Sequence, residues 1–402
     1  MKPNWATEIV QTLRDRGHEA YFVGGCVRDM VLGIEPADYD IATSARPEEI
    51  TQFFPRTEGV GAQFGVMLVI HRGHPFEVAT FRSDEAYIDG RRPSGVVFTD
   101  ARTDVLRRDF TINGLLYDPI ERRIIDYVSG QEDIQNKLVR AIGDPKARFE
   151  EDKLRILRAI RFGARLGYAI EPGTWEAVRA MAGTIHQVSV ERIRDEIVRI
   201  LTEGSAARGA RMLEDAGLRR EILPDVEWTE HLHCSLAMIQ REAPADFAMG
   251  VLLHQTRFEK ATTVVEGLRF SRAETHHVLA LVENAPRFSE VRSMTLSALK
   301  RFFRLPRFED HLELARICAV AAGGDLTDYG FARDTFRAWS DVEIAPPPLI
   351  SGEDLIVMGF SPGPMFKSIL TRVEDEQLEG RLRERGQALG FVAANYAGGK
   401  AR

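Results

Sequence analysis

Residues 21–43, YFVGGCVRDMVLGIEPADYDIAT, constrain what this chain can fold into more than any other stretch. They read as a strand, a Gly-Gly turn, a short helix, a Pro-marked loop and a second strand ending in paired carboxylates. Asp38 and Asp40 stand two apart in a β-pattern, and side chains at i and i+2 of a strand point to one face. Two carboxylates on one face repel each other unless a cation lies between them. Hard divalent ions with oxygen ligands, Mg²⁺ above all, meet that need beside phosphates. Gly24-Gly25 leaves room for a phosphate to approach the backbone, where helix-start N–H groups can cradle it. Arg28 falls in the first turn of that helix, placed to meet a triphosphate. Taken singly, Gly-Gly commonly marks a plain turn and D-x-D a solvated strand edge. Order and spacing carry the functional reading.

Two further stretches carry chemistry. In residues 106–113, LRRDFTIN, Arg108 can bind a phosphate, while Asp109 and Asn113 offer groups that could hold ribose hydroxyls. The bland reading is a strand-to-helix turn capped by Asp109. In residues 150–162, EEDKLRILRAIRF, Glu151, Arg155, Arg158 and Phe162 share one helix face, with Asp152 and Arg155 three apart. A salt-bridged solvated face would show the same spacing. Leu154, Ile156, Leu157 and Ile160 spread apolar surface widely, however, so the helix should be largely covered. A covered helix bearing Arg155, Arg158, Arg161 and Arg165 needs anions to meet them.

The succession GG-x-V-R-D, D-x-D-I-A-T, RRDFTIN and EDKLRILRAIRF resembles the class II tRNA nucleotidyltransferase (CCA-adding enzyme) and bacterial poly(A) polymerase family. The likeness covers about residues 15–205 with high specificity and the remainder with much less. It implies a template-independent RNA 3′-end nucleotidyltransferase acting on tRNA with CTP and ATP as substrates. Asp38 and Asp40 would be catalytic and would hold two Mg²⁺ ions. The implied nucleotide-binding residues are Gly24, Gly25, Arg28, Arg108, Asp109, Asn113, Asp152, Arg155, Arg158 and Arg161. In the family the 150–162 helix serves as a protein template for the incoming base. Asp152 would accept from N4 of cytosine or N6 of adenine, and Arg155 would donate to the adjacent ring acceptor. Uracil and guanine present the opposite pattern. Arg158 and Arg161 then fit phosphate and backbone roles. Glu77, in an alternating run at residues 75–82, is either a third metal-site carboxylate or a strand residue paired to an arginine.

The resemblance also implies an α+β fold: a nucleotidyltransferase head with a mixed sheet, then an all-helical neck, body and tail. The pattern agrees, because strand-like alternation gives way to helical periodicity near residue 143. The expected divisions are 1–143 (catalytic head), 144–204 (base-reading neck), 205–345 (body) and 346–402 (tail, a possible tRNA contact). With a net charge of −7, any RNA surface must be a local basic stripe. Cys26, Cys234 and Cys318 include no C-x-x-C, which suggests a reducing compartment and no structural zinc. No apolar run reaches the ~18–20 residues of a membrane span, and the start lacks a signal-peptide core. A cytoplasmic protein is expected, with no membrane association and no protein partner inferable.

Residues 248–255, AMGVLLHQ, resemble the L-L-H-D of some relatives with Gln255 in place of the aspartate, which disfavours a phosphohydrolase site. Poly(A) polymerases usually carry a basic G-R-R-F stretch where residues 61–65 read GAQFG. The polar loop at 83–94, with Arg91-Arg92, is typically shortened in enzymes that stop after CC. Full CCA addition is therefore expected. The alternatives are a partial A-adding or CC-adding enzyme, a poly(A) polymerase, and a catalytically inactive RNA-binding relative.

Overall fold

Ala6, Ile9, Val10 and Leu13 recur at helical spacing and are fully buried, so the Lys2–Arg14 helix seats one apolar face on the sheet that follows. Burying side chains of this size contributes about 1.5–3 kcal/mol each. In the computed structural model, residues 2–61, 65–84 and 96–396 are described. Most of the 83–94 loop and residues 62–64 of the GAQFG stretch lie outside them.

The sheet has seven strands in the order Thr57–Gly61, Val66–His71, His74–Thr80, Ile41–Thr43, Ala20–Val23, Leu115–Asp118, Arg123–Asp126. Ile41–Thr43 and His74–Thr80 run parallel, while the other neighbours are antiparallel. The sheet is therefore mixed, as expected. Arg72 and Gly73 both take positive φ (51° and 80°) in the turn between its paired central strands. That is the twist a two-residue hairpin loop requires, and Gly73 adopts it without strain. After Val139 the chain is almost wholly helical.

Two local expectations are corrected. Asp38 and Asp40 precede the strand Ile41–Thr43 instead of lying within it. The backbone is still tied to the sheet there, since the Asp40 carbonyl accepts from Val23 N–H at 3.0 Å. The helix expected to carry residues 150–162 is two helices, Pro145–Glu151 and Leu154–Leu166. Asp152 sits in extended backbone between them (φ −144°, ψ 102°), and its carboxylate accepts from Leu154 N–H at 3.1 Å. A short acceptor beside a helix start competes with helix continuation, which explains the break.

The described chain divides into two compact units. The first comprises Met1–Glu227 with Ile239–Pro244 and Val264–Arg269. The second comprises Trp228–Met238, Ala245–Thr263 and Phe270–Arg402, and is helical. Its core includes a cluster of Phe288, Phe302, Phe303 and Phe308 and another around Ile350, Leu355 and Ile369. Among the described residues no helix is long and apolar enough to cross a membrane.

Candidate active site

Gly24 ends the first central strand with φ 73° and ψ −130°, a conformation that glycine alone adopts at little cost. This sharp exit starts the Gly25–Val31 helix against the sheet edge, and a Cβ on Gly24 would stand 3.4 Å from the Arg108 guanidinium. Gly24, Gly25, Arg28 and Asp40 thereby form one wall of a cleft of about 510 Å³. The opposite wall is the helix Leu154–Leu166, whose residues 154–157 and 159–164 are all buried. Nine arginines line the cleft against three aspartates, so it is an arginine-rich hollow in an acidic protein.

The acidic corner adjoins this cleft. Asp38, Asp40 and Glu77 line a second hollow of about 430 Å³, and Asp40 lines both. The parallel register sets Ile41 opposite Val78, which brings Glu77, one residue earlier, beside Asp40. Asp40 keeps access to solvent. Burial of its carboxyl and the charges of Glu77 and Asp38 nevertheless push its pKa up to about 6, against the pull of Arg108. An all-oxygen set of like charges suits a hard divalent cation.

Arg28, though it lines the cleft, is 2 % exposed and spends its guanidinium on Asp29 (2.7 and 2.9 Å) and on the Asn113 side-chain oxygen (2.7 Å). Arg108 is held by Asp104 at 2.9 Å, as is Arg107 at 2.7 Å. Asp104 is buried, and no reading of the sequence singled it out. Asn113 closes a short 3₁₀ turn, Thr111–Asn113, and its amide nitrogen donates to Asp109 at 3.3 Å. Burial alone would raise the Asp109 carboxyl. Arg158, bonded to it at 2.9 and 2.5 Å, and the Phe110 N–H at 2.8 Å hold it below the usual carboxylate range instead. The two family-like stretches around residues 109 and 158 therefore meet directly, across 49 residues of chain.

Asp152 and Arg155 both line the cleft, where the Arg155 N–H donates to the Asp152 carbonyl at 3.0 Å while their side chains hold other partners. Asp152 is gripped by Arg192 at 2.8 and 3.2 Å. Arg155 donates to Glu151 (2.7 Å) and to the carbonyls of Arg148 and Arg107 (both 3.1 Å). Arg161 packs over the Phe162 ring at 4.4 Å and donates to Glu196 at 2.7 Å and Glu203 at 3.3 Å. Arg192 and Arg199 also line the cleft. They went unnoticed, yet a signal existed: Arg192, Glu196, Arg199 and Glu203 recur at i, i+4, i+7 and i+11. That is a single face of the Val190–Thr202 helix and its cap.

The Arg161–Glu196 pair is almost solvent-free, at 4 % and 5 % side-chain exposure. Arg161→Ala leaves a carboxylate buried without its partner and is expected to destabilise the protein by about 3–5 kcal/mol. Arg161→Met with Glu196→Leu should recover most of this loss. Urea unfolding of the two variants beside the unsubstituted protein measures both effects, and a loss below about 1 kcal/mol for Arg161→Ala would show the pair to be dispensable.

Residues 20–140 match the family model described as Poly A polymerase head domain, and residues 167–229 match the Probable RNA and SrmB- binding site of polymerase A. A CCA-adding enzyme of Levilactobacillus brevis is 33 % identical over 387 residues, covering 96 % of each chain. The chain belongs to the class II CCA-adding enzyme family. A CCA-adding enzyme of a Geobacillus species is 45 % identical over 53 % of each chain. The Bacillus stearothermophilus CCA-adding enzyme, solved in complex with CTP, superposes with a TM-score of 0.83 at 28 % identity. That match covers 99 % of this chain and 98 % of the other. The family's sheet-then-helices architecture, and its standing as nucleotidyltransferases that generally use divalent metals, thus apply to this protein.

Proposed function

We propose that the chain adds CCA to the 3′ end of tRNA, from CTP and ATP and without a nucleic-acid template. The observation that carries this reading is the arginine-rich cleft between the sheet edge and the Leu154–Leu166 helix, in which Asp40, Asp109, Asp152 and Arg155 face a common space. Kinship with CCA-adding enzymes over 96 % of the chain supports tRNA, CTP and ATP as its substrates.

Asp38 and Asp40, with Glu77 as a third carboxylate, are assigned as the holders of divalent Mg²⁺. When bound there, the metal supplies Lewis-acid activation of the RNA 3′-hydroxyl and charge neutralisation of the departing pyrophosphate. The remaining work is positioning. Gly24-Gly25 lets the triphosphate approach the backbone without a Cβ in the way. Arg108, oriented by Asp104, faces the phosphates. Arg28 fixes the Asn113 carboxamide, and Asn113 with Asp109 presents polar groups to the ribose. Attack at the α-phosphorus needs in-line alignment, which a rigid cleft wall provides.

Base choice falls to Asp152 and Arg155. Arg192 turns both Asp152 oxygens toward the cleft while leaving lone pairs for an exocyclic amine. The anchors on Arg155 fix the plane of its guanidinium and leave N–H groups for N3 of cytosine or N1 of adenine. Residues 1–143 are read as the catalytic head, 144–204 as the base-reading neck, and 205–345 and 346–402 as body and tail on the tRNA side. A cytoplasmic setting is consistent with three free cysteines.

The test offers tRNA ending before CCA, after C and after CC, with CTP, ATP or both. CCA addition to the first substrate is the expected result. Activity only on the CC-ended tRNA with ATP would instead make this an A-adding enzyme, and long A tails on unrelated RNA a poly(A) polymerase.

A further inference from the structure

Far along the sequence from the nucleotide cleft, the second unit gathers three side chains that the sequence keeps apart by 23 and 64 residues. His231 lies on the helix Glu230–Leu236, His254 follows the helix Ala245–Leu253, and Cys318 lies on Phe308–Ala321. Their ligand atoms all fall within 4.8 Å of one another, and each residue is only partly buried, so an ion has access. We propose that His231, His254 and Cys318 form a transition-metal site, with Zn²⁺ as its natural occupant.

The geometry supports this in three ways. The two Nε2 atoms are 3.2 Å apart. Two imidazoles on one tetrahedral Zn²⁺, each at about 2.0–2.1 Å, stand about 3.3 Å apart, so both rings are already at ligand spacing. His254 Nδ1 lies 2.7 Å from the carbonyl of Val251. It must carry the proton to donate there, which leaves Nε2 with its lone pair facing His231, the usual way a metal-binding imidazole is oriented. Two imidazoles and a thiolate are also the borderline-soft donors that select Zn²⁺ over Mg²⁺. Gln255, next in sequence, is turned to Thr229 at 2.8 Å and is no ligand. Three protein ligands leave the fourth position to water. The absence of C-x-x-C spacing argued against structural zinc, but helix packing assembles what local spacing does not.

Such an ion would clamp three helices of the second unit and act on its stability, not on nucleotide chemistry. The full-length protein carrying Asp38→Asn, Asp40→Asn and Glu77→Gln, so that the acidic corner contributes no carboxylate, is stripped with a chelator and titrated with Zn²⁺ or Co²⁺. One equivalent should bind, Zn²⁺ should raise the melting temperature, and the Co²⁺ form should show tetrahedral visible bands with a thiolate charge-transfer band. Cys318→Ser should abolish the charge-transfer band, and His231→Ala with His254→Ala should weaken Zn²⁺ binding about 100-fold or more. If those variants fail to fold, alkylation of the unsubstituted chain decides. Zn²⁺ should protect Cys318 while exposed Cys234 stays reactive. Substoichiometric Zn²⁺, a Co²⁺ complex without the thiolate band, or unprotected Cys318 would each overturn the site.

Discussion

Asp40→Asn is expected to lose nucleotide addition by about 10²–10³-fold or more and yet, without metal, to melt above the unsubstituted protein at pH 7. The two effects share one origin. Burial, then the charges of Glu77 and Asp38, raise the Asp40 carboxyl from 3.8 to about 6. An acid whose pKa is higher folded than unfolded binds more protons in the native state, so stability falls as pH rises from about 4 through about 6. At pH 7 the full cost is present, and removing the charge relieves it. Well below pH 3.8 both states are protonated and the advantage disappears. Asp40 is open to solvent on one side, which screens the interaction, so the gain should be about 1 kcal/mol or less. Metal affinity should weaken below pH 6, where a proton competes for the same oxygens. Near-normal turnover of Asp40→Asn in Mg²⁺ would remove Asp40 from the metal site, and no stabilisation at pH 7 would show that its carboxyl is not raised by burial and its neighbours.

Asp152→Ala should blur the choice of C and A over U and G far more than it weakens triphosphate binding. An inverted or unpaired buried polar contact costs roughly 1–3 kcal/mol, which corresponds to about 5–150-fold per contact in selectivity. Arg192→Met provides a sharper comparison, because it keeps the Asp152 carboxylate but removes the group that aims it at 2.8 and 3.2 Å. We expect Arg192→Met to lose selectivity part-way, with triphosphate affinity nearly unchanged. Incorporation of all four nucleotides by each variant measures this. A uniform fall in rate with preference intact would make the Leu154–Leu166 helix a scaffold and not a template.

The head was legible because its chemistry is local. Gly24, Asp38 and Asp40 lie within 17 residues, and a strand–turn–helix pattern suffices to bring them to one edge. The coverage of the neck helix was equally legible from Leu154, Ile156, Leu157 and Ile160. Its break at Asp152 was not, because charge spacing alone does not distinguish a helix interior from a junction between two helices. The partners of the arginines were hidden for a different reason. Asp109 to Arg158, Asp152 to Arg192 and Arg161 to Glu196 span 35–49 residues, and tertiary packing alone decides those pairings. The same holds for His231, His254 and Cys318, whose spacing matches no motif.

The strand order has a consequence for how the molecule is made. Ala20–Val23 pairs with Ile41–Thr43 on one side and with Leu115–Asp118 on the other, and Arg123–Asp126 closes that edge. During synthesis the first strand therefore waits for some hundred residues before its second neighbour emerges, roughly 5–20 s at ribosomal rates. Asp109 waits longer still, since its counter-charge, Arg158, is translated 49 residues later. A nascent head released on its own would lack the cation that holds the Asp109 carboxylate. The cleft around Asp109 is thus completed only when the Leu154–Leu166 helix has been made.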